Sequence, residues 1–279
     1  MKFVHILCIY FFIILLSACS SQQKLPTQTY RQFNHNKTYR YHNDTLTVII
    51  DNSLMSPIRV NAFTNDSRLN NFVRMMDTIT LAPQRDTSLH FYMPGIQNPV
   101  FGLYTNLGNA QQPIHPVALA YPFPKGKAYT IIQGYTGRYS HTNDYSQYAI
   151  DFNLNIGDTV CSADDGYVVG VIKEYKYGGH TNEWRNNDKS NFITIYHPHS
   201  GLFTQYVHLK HNGAFVKTGD KVNRGQAIGL SGMTGFTDVA HLHFNVLQPK
   251  AGASFISVSC VFEDGKKGDK LTKGVQVKH

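Results

Sequence analysis

The segment His241-Leu242-His243-Phe244-Asn245-Val246 alternates polar and apolar residues one by one. A period of two belongs to a β-strand, whose successive side chains point to opposite faces. Leu242, Phe244 and Val246 then share a core face, while His241 and His243 aim two imidazoles from the other. Imidazole serves both as a zinc ligand and as a general base. Taken alone, an H-x-H pair reads equally as a polar strand face in water, so its surroundings in the chain decide.

Working outward from this segment, strands of the same texture fill the second half of the chain. Thr159–Ala163, Tyr167–Ile172, Phe192–Tyr196, Thr204–Leu209 and Gln226–Ser231 are short, β-rich and punctuated by glycine. Turn signals stand between them at Asp165-Gly166, Thr218-Gly219-Asp220 and Asn223-Arg224-Gly225. Helical periodicity is absent, so 113–279 reads as a compact antiparallel β domain with a C-terminal tail. The polar stretch Lys173–Ser190 interrupts the pattern and holds the only tryptophan, Trp184. It reads either as a wall of a substrate groove or as a plain surface loop.

Upstream, 39–112 reads as a smaller β-rich domain of sandwich type. Leu46–Ile50, Ile58–Phe63 and Ser88–Tyr92 are separated by Asn, Asp, Ser and Pro. The whole is expected to be all-β. His35, His42, His90 and His115 show no metal spacing and read as surface or structural residues. His180, His197, His199 and His211 are assigned to loops or turns at the surface.

Residues 1–18 read as an export leader, with Lys2 ahead of the apolar run Ile6–Leu16. That run is shorter than the ~20 residues a spanning helix needs. The ending Leu16-Ser17-Ala18-Cys19 resembles a bacterial lipobox, which implies cleavage before Cys19 and lipidation of that residue. Residues 19–38 then form a polar tether from a membrane anchor. Ser20 fits sorting to the periplasmic face of an outer membrane. Of four cysteines, Cys161 and Cys260 remain in the folded part; they read either as a disulfide formed in an oxidising compartment or as two buried thiols, with the unpaired reading preferred. The net charge of +8 favours anionic partners such as wall polymers or lipid head groups. Nucleic acid does not fit an exported lipoprotein.

A catalytic zinc takes three protein ligands and leaves a position open. The second half offers His141, Asp151, His208, His241 and His243 as candidates. Asp151, in Tyr148-Ala149-Ile150-Asp151-Phe152, faces away from Ile150 and Phe152. In Tyr206-Val207-His208-Leu209, Val207 and Leu209 supply the apolar face, so His208 points the other way.

Several motifs in order extend this set. Ser140-His141 and the Asp151 strand are followed by Gly157-Asp158-Thr159-Val160 and Ala163-Asp164-Asp165-Gly166. Gly219-Asp220-Lys221-Val222, Gly225–Gly229, Ser231–Gly235 and His241-Leu242-His243-Phe244 come after the His208 segment. Together, over about Tyr121 to Leu247, they resemble the lysostaphin/LytM-type zinc endopeptidases, which cleave peptide cross-links of peptidoglycan. The resemblance implies a compact antiparallel β fold with a groove across one Zn2+. It implies His141, Asp151 and His243 as zinc ligands and His208 and His241 as catalytic groups flanking the metal-bound water. An imidazole near its usual pKa can take the water's proton or donate to the oxyanion; of the two, His241 is read as the base and His208 as the stabiliser. The sequence departs from the family's commonest H-x-x-x-D spacing, because Gln147 stands four residues before Asp151. His141 takes the ligand role, as in a longer-spaced variant.

The expected function is therefore a zinc endopeptidase acting on peptidoglycan stem peptides. The alternatives are an inactive wall-binding module that regulates other wall hydrolases through a protein partner, and a secreted protease acting on proteins.

Overall fold

The computed structural model describes residues 24–33, 37–77, 79–96, 98–187 and 189–279. Residues 1–18, expected to be a leader, Cys19, expected to be lipidated, Ser20 and His35 lie outside the described residues.

The all-β expectation holds. In the first half, two three-stranded antiparallel sheets close on one core. One orders Lys37–His42, Thr45–Asn52 and Arg85–Tyr92; the other orders Thr80–Leu81, Ile58–Phe63 and Gly102–Leu107. Asn43 and Asp44 sit at φ 45° and 55°, the conformation a two-residue hairpin requires. Leu46, Val48 and Ile50 from one sheet meet Ile58, Val60 and Ala62 from the other. A short helix, Asn70–Met76, was not expected; Phe72 and Met76, four residues apart, bury its inner face.

In the second half, a nine-stranded sheet runs in the order Lys221–Val222, Gly166–Ile172, Phe192–His197, Leu202–Val207, Leu242–Pro249, Ile150–Phe152, Ala128–Gln133, Gln276–Lys278, with Phe255–Ser257 paired onto Leu242–Pro249. A three-stranded sheet of Thr159–Cys161, Ala227–Ser231 and Leu209–Ala214 packs against it. Leu242, Phe244 and Val246 enter the core between them, beside Ile150, Phe152 and Tyr206. Cys161 and Cys260 are buried free thiols, their pKa values pushed up to about 11 by burial.

The opposite face of Leu242–Pro249 is split between two tasks. His243 stands at one end, paired with Asp151 across the neighbouring strand. Leu247, about 13 Å along the strand, packs with Tyr196, Phe203 and Phe255 into the core of the first half. Arg59 reinforces that contact. The residue is 7% exposed, and its guanidinium donates to five carbonyl oxygens: Leu107, Gly108, Lys250, Ala253 and Ser254.

Part of the expected tether is docked. The carbonyl of Gln32 accepts from Val171 N at 2.9 Å, and Lys189 Nζ donates to Gln28 O at 2.8 Å. Tyr30 packs edge-on against Tyr175, with ring centres 5.0 Å apart. His197 is a correction to the sequence reading. It ends the strand Phe192–His197 and is 1% exposed, because Asp165 O accepts from its Nδ1 and Thr204 Oγ1 donates to its Nε2, each at 2.8 Å.

Candidate metal centre

Three elements bring His141, Asp151 and His243 together. Asp151 and His243 are cross-strand partners in antiparallel strands, so their side chains leave the same face. His141 arrives from the loop after Ala128–Gln133. This loop folds back on itself, with His141 N donating to Gly137 O at 3.0 Å and Thr136 N to Gln147 O at 2.7 Å. The coil absorbs the nine residues between His141 and Asp151. Gln147 contributes its carbonyl to that coil and is absent from the ligand cluster.

The converging atoms form a tight triangle. His141 Nε2 lies 3.2 Å from Asp151 Oδ1 and 3.2 Å from His243 Nδ1, and His243 Nδ1 lies 2.9 Å from Asp151 Oδ1. Ligands around a tetrahedral zinc, with bonds of ~2.0–2.1 Å, stand ~3.3 Å apart, so the triangle matches one face of that tetrahedron. The wiring behind it agrees. Gly134 O is 2.8 Å from His141 Nδ1, and a carbonyl can only accept. Nδ1 therefore carries the proton in the neutral ring, and Nε2 turns its lone pair toward a carboxylate oxygen. Two facing acceptors need a shared proton or a cation between them. The donor set and its spacing therefore fit a zinc ion.

Charge in the cluster follows from burial and close partners. Burial opposes ionisation of Asp151, but the imidazoles of His241, His141 and His243 outweigh it and hold the carboxyl well below its usual range. Burial also disfavours a charged His141, yet the hydrogen bond and charge of Asp151 prevail and raise its pKa. For His243 burial wins over Asp151, and the pKa falls.

His208 and His241 complete the site, their rings 4.6 Å apart. His208 corrects the expectation that it lies within a strand. It sits at φ 64° between Leu202–Val207 and Leu209–Ala214, strands of two different sheets, and the left-handed turn there swings its side chain toward His241. Its Nδ1 donates to Thr234 O at 2.7 Å, leaving the Nε2 lone pair free. Burial, then the two neighbouring imidazoles, holds its pKa well below the usual value. His241 is wired the same way, with Nδ1 donating to Val239 O at 3.0 Å and Nε2 standing 3.8 Å from Asp151 Oδ1. Both rings therefore present acceptor nitrogens, and their tautomers alone do not separate a base from a stabiliser.

Asp151, His208 and His241 line a cavity of about 640 Å3. One wall is aromatic, with Tyr139 and Phe236 stacked at 5.1 Å and the Arg185 guanidinium 4.6 Å from the Phe236 ring. Trp184 does not line this groove. It is 3% exposed and packs against Gly179, where a Cβ would stand 2.4 Å from its Nε1. The adjacent Arg185 contacts the wall instead. The sequence reading also passed over Gln133, which donates to Asp151 Oδ2 at 3.0 Å. A lone polar residue at a strand end carries no local signal of such a role.

Residues 145–254 match the model of Peptidase family M23, a segment that holds Asp151, His208, His241 and His243 and begins after His141. An uncharacterized metalloprotease of Buchnera aphidicola is 32% identical over 171 residues, 58% of this chain and 41% of that protein. The peptidoglycan DD-endopeptidase ShyA of Vibrio cholerae is 37% identical over 97 residues, 35% of this chain and 19% of its own length. The glycyl-glycine endopeptidase ALE-1 of Staphylococcus capitis is 36% identical over 104 residues, 37% of this chain and 25% of its own length. The chain thus spans less than half the length of these relatives.

Proposed function

We propose, from the premise that residues 145–254 form a Peptidase family M23 domain, that this chain is a zinc-dependent endopeptidase cutting peptide cross-links of bacterial peptidoglycan. One observation carries the reading. His141 Nε2, Asp151 Oδ1 and His243 Nδ1 converge within 3.2 Å of one another, beside a cavity that Asp151, His208 and His241 line. Bound there, one Zn2+ supplies Lewis acidity that polarises a scissile carbonyl and acidifies water.

The protein's own groups supply positioning and proton transfer. His241, its Nδ1–H held by Val239 O, keeps Nε2 open to take the proton of the attacking water. His208, once protonated at Nε2, donates to the oxyanion of the tetrahedral intermediate. Burial keeps His208 neutral at rest, so it becomes a donor only when the single proton taken from water by His241 passes on to His208 Nε2, and that proton goes to the leaving amine as the C–N bond breaks. The Tyr139–Phe236 wall confines an extended peptide over these groups.

The names of the relatives support a wall substrate and differ in the bond, DD-type for one and glycyl-glycine for another. Digestion of purified sacculi beside a glycine-rich protein separates a wall hydrolase from a general protease. The same reading holds the chain at the periplasmic face of the outer membrane, exported by 1–18 and lipidated at Cys19; its support is the apolar core and the Leu16-Ser17-Ala18-Cys19 ending.

Zinc content tests the centre. The chain from Ser20 onward should hold about one zinc, as should Gln147→Ala, while His141→Ala loses it. No zinc in the wild type after reconstitution would sink the catalytic reading and leave a wall-binding module.

A further inference from the structure

Gln133 ends the strand Ala128–Gln133 and pairs in register with Asp151. Its side chain makes three hydrogen bonds. Nε2 donates to Asp151 Oδ2 at 3.0 Å and to Ser140 Oγ at 2.8 Å, and Oε1 accepts from Tyr139 N at 3.2 Å. The amide has one possible orientation, because a carboxylate only accepts and a backbone N–H only donates. Gln133 thus touches the carboxylate and the two residues that precede His141. The next residue, Gly134, offers the carbonyl that orients His141. The loop also closes over the glutamine: a Cβ at Gly137 would lie 2.2 Å from Gln133 Cγ, so that position needs glycine.

We propose that Gln133 is the positioning residue of the metal centre, and that it makes the long His141–Asp151 spacing workable. It occupies Asp151 Oδ2, which leaves Oδ1 as the single oxygen facing the two imidazole nitrogens. It also fastens the loop carrying His141 to that same carboxylate. A histidine four residues before the aspartate would be held by its own strand; one ten residues away has to be held by something else. Gln133 and Gly134 do that from the neighbouring strand. The inference rests on the reading of His141, Asp151 and His243 as zinc ligands.

The test measures zinc affinity by competition with a chelator, on the chain from Ser20 onward. Gln133→Met keeps the shape and removes both donors. It should lower affinity about 10–100-fold, the usual effect of losing a group that orients a ligand. Ser140→Ala cuts only the loop side and should cost a smaller, several-fold loss. It also keeps the proposal testable where Gln133→Met folds poorly. With cobalt in place of zinc, Gln133→Met should change the visible spectrum, because Asp151 Oδ2 is released, whereas a residue that merely packs would leave it alone. Wild-type affinity in both variants with an unchanged cobalt spectrum would overturn the proposal. A wild-type chain that binds no zinc would overturn the ligand reading itself, and the proposal with it.

Discussion

Arg59 should hold the two halves of this protein together, and Arg59→Met tests that. The side chain is buried, and all five of its hydrogen bonds end on carbonyl oxygens. Two bonds stay within the first half, to Leu107 and Gly108. Three cross to the turn that links Leu242–Pro249 with Phe255–Ser257: Lys250 at 2.6 Å, Ala253 at 3.0 Å and Ser254 at 2.8 Å. At ~1 kcal/mol net for each crossing bond, their loss costs about 3 kcal/mol. Methionine fills a similar volume, so cavity formation adds little. Relief from burying a charge offsets part of the loss, while stranded carbonyls add to it. In a chain of this size, about 3 kcal/mol lowers Tm by roughly 6–12 °C. Arg59→Lys should recover only a small part, because an ammonium has three donors and no planar fork. Thermal unfolding followed by circular dichroism reads the shift, and hydrogen exchange at 250–254 localises it. A Met variant melting within about 2 °C of the wild type, with unchanged exchange at 250–254, would refute the latch.

Three further outcomes are expected. His208→Ala and His241→Ala should each lower kcat by about 10²–10⁴-fold while retaining zinc; full activity in either would remove that residue from the chemistry. Lys189→Met cuts the bonds from Lys189 Nζ to Gln28 O and Thr29 Oγ1. Amide exchange in the 173–191 loop and at Gly235–Phe236 should then quicken by about 5–30-fold, and unchanged exchange would mean the N-terminal segment only rests on the surface. Burial pushes the pKa of His197 down to about 4 from 6.5. Below 6.5 the unfolded chain binds a proton that the folded chain refuses until about 4, so this group makes stability rise with pH across that window. His197→Gln should flatten the rise in denaturant midpoints between those limits, and identical slopes would contradict the burial argument.

Much of the site is legible in the amino-acid sequence. Alternation in Leu242–Val246 marks a strand with His243 on its outer face, because a period of two is imposed by the backbone itself. The same reasoning places Asp151 opposite Ile150 and Phe152, and the two residues meet as cross-strand partners. The glycine-punctuated texture of the second half announces antiparallel sheets for equally local reasons. Besides Gln133, three residues for which the sequence suggests a different placement escape it. Trp184 lies in a polar stretch, yet its ring is buried against Gly179. His197 follows an apolar run and is held in the interior by Asp165 and Thr204. His208 takes a left-handed turn between two sheets, where a straight strand is expected from its neighbours.

What the sequence by itself determined was the strand pattern and the residue types capable of binding a metal, since both depend on neighbours along the chain. Only the tertiary structure decided how a histidine ten residues from Asp151 reaches it, which amide restrains the carboxylate, and where the expected tether lies. Those facts depend on contacts between segments far apart in sequence, such as Gln133 with Asp151, Arg59 with Ser254 and Gln28 with Lys189. A polar side chain carries the same local pattern whether it faces water or a buried partner, and folding alone selects between them.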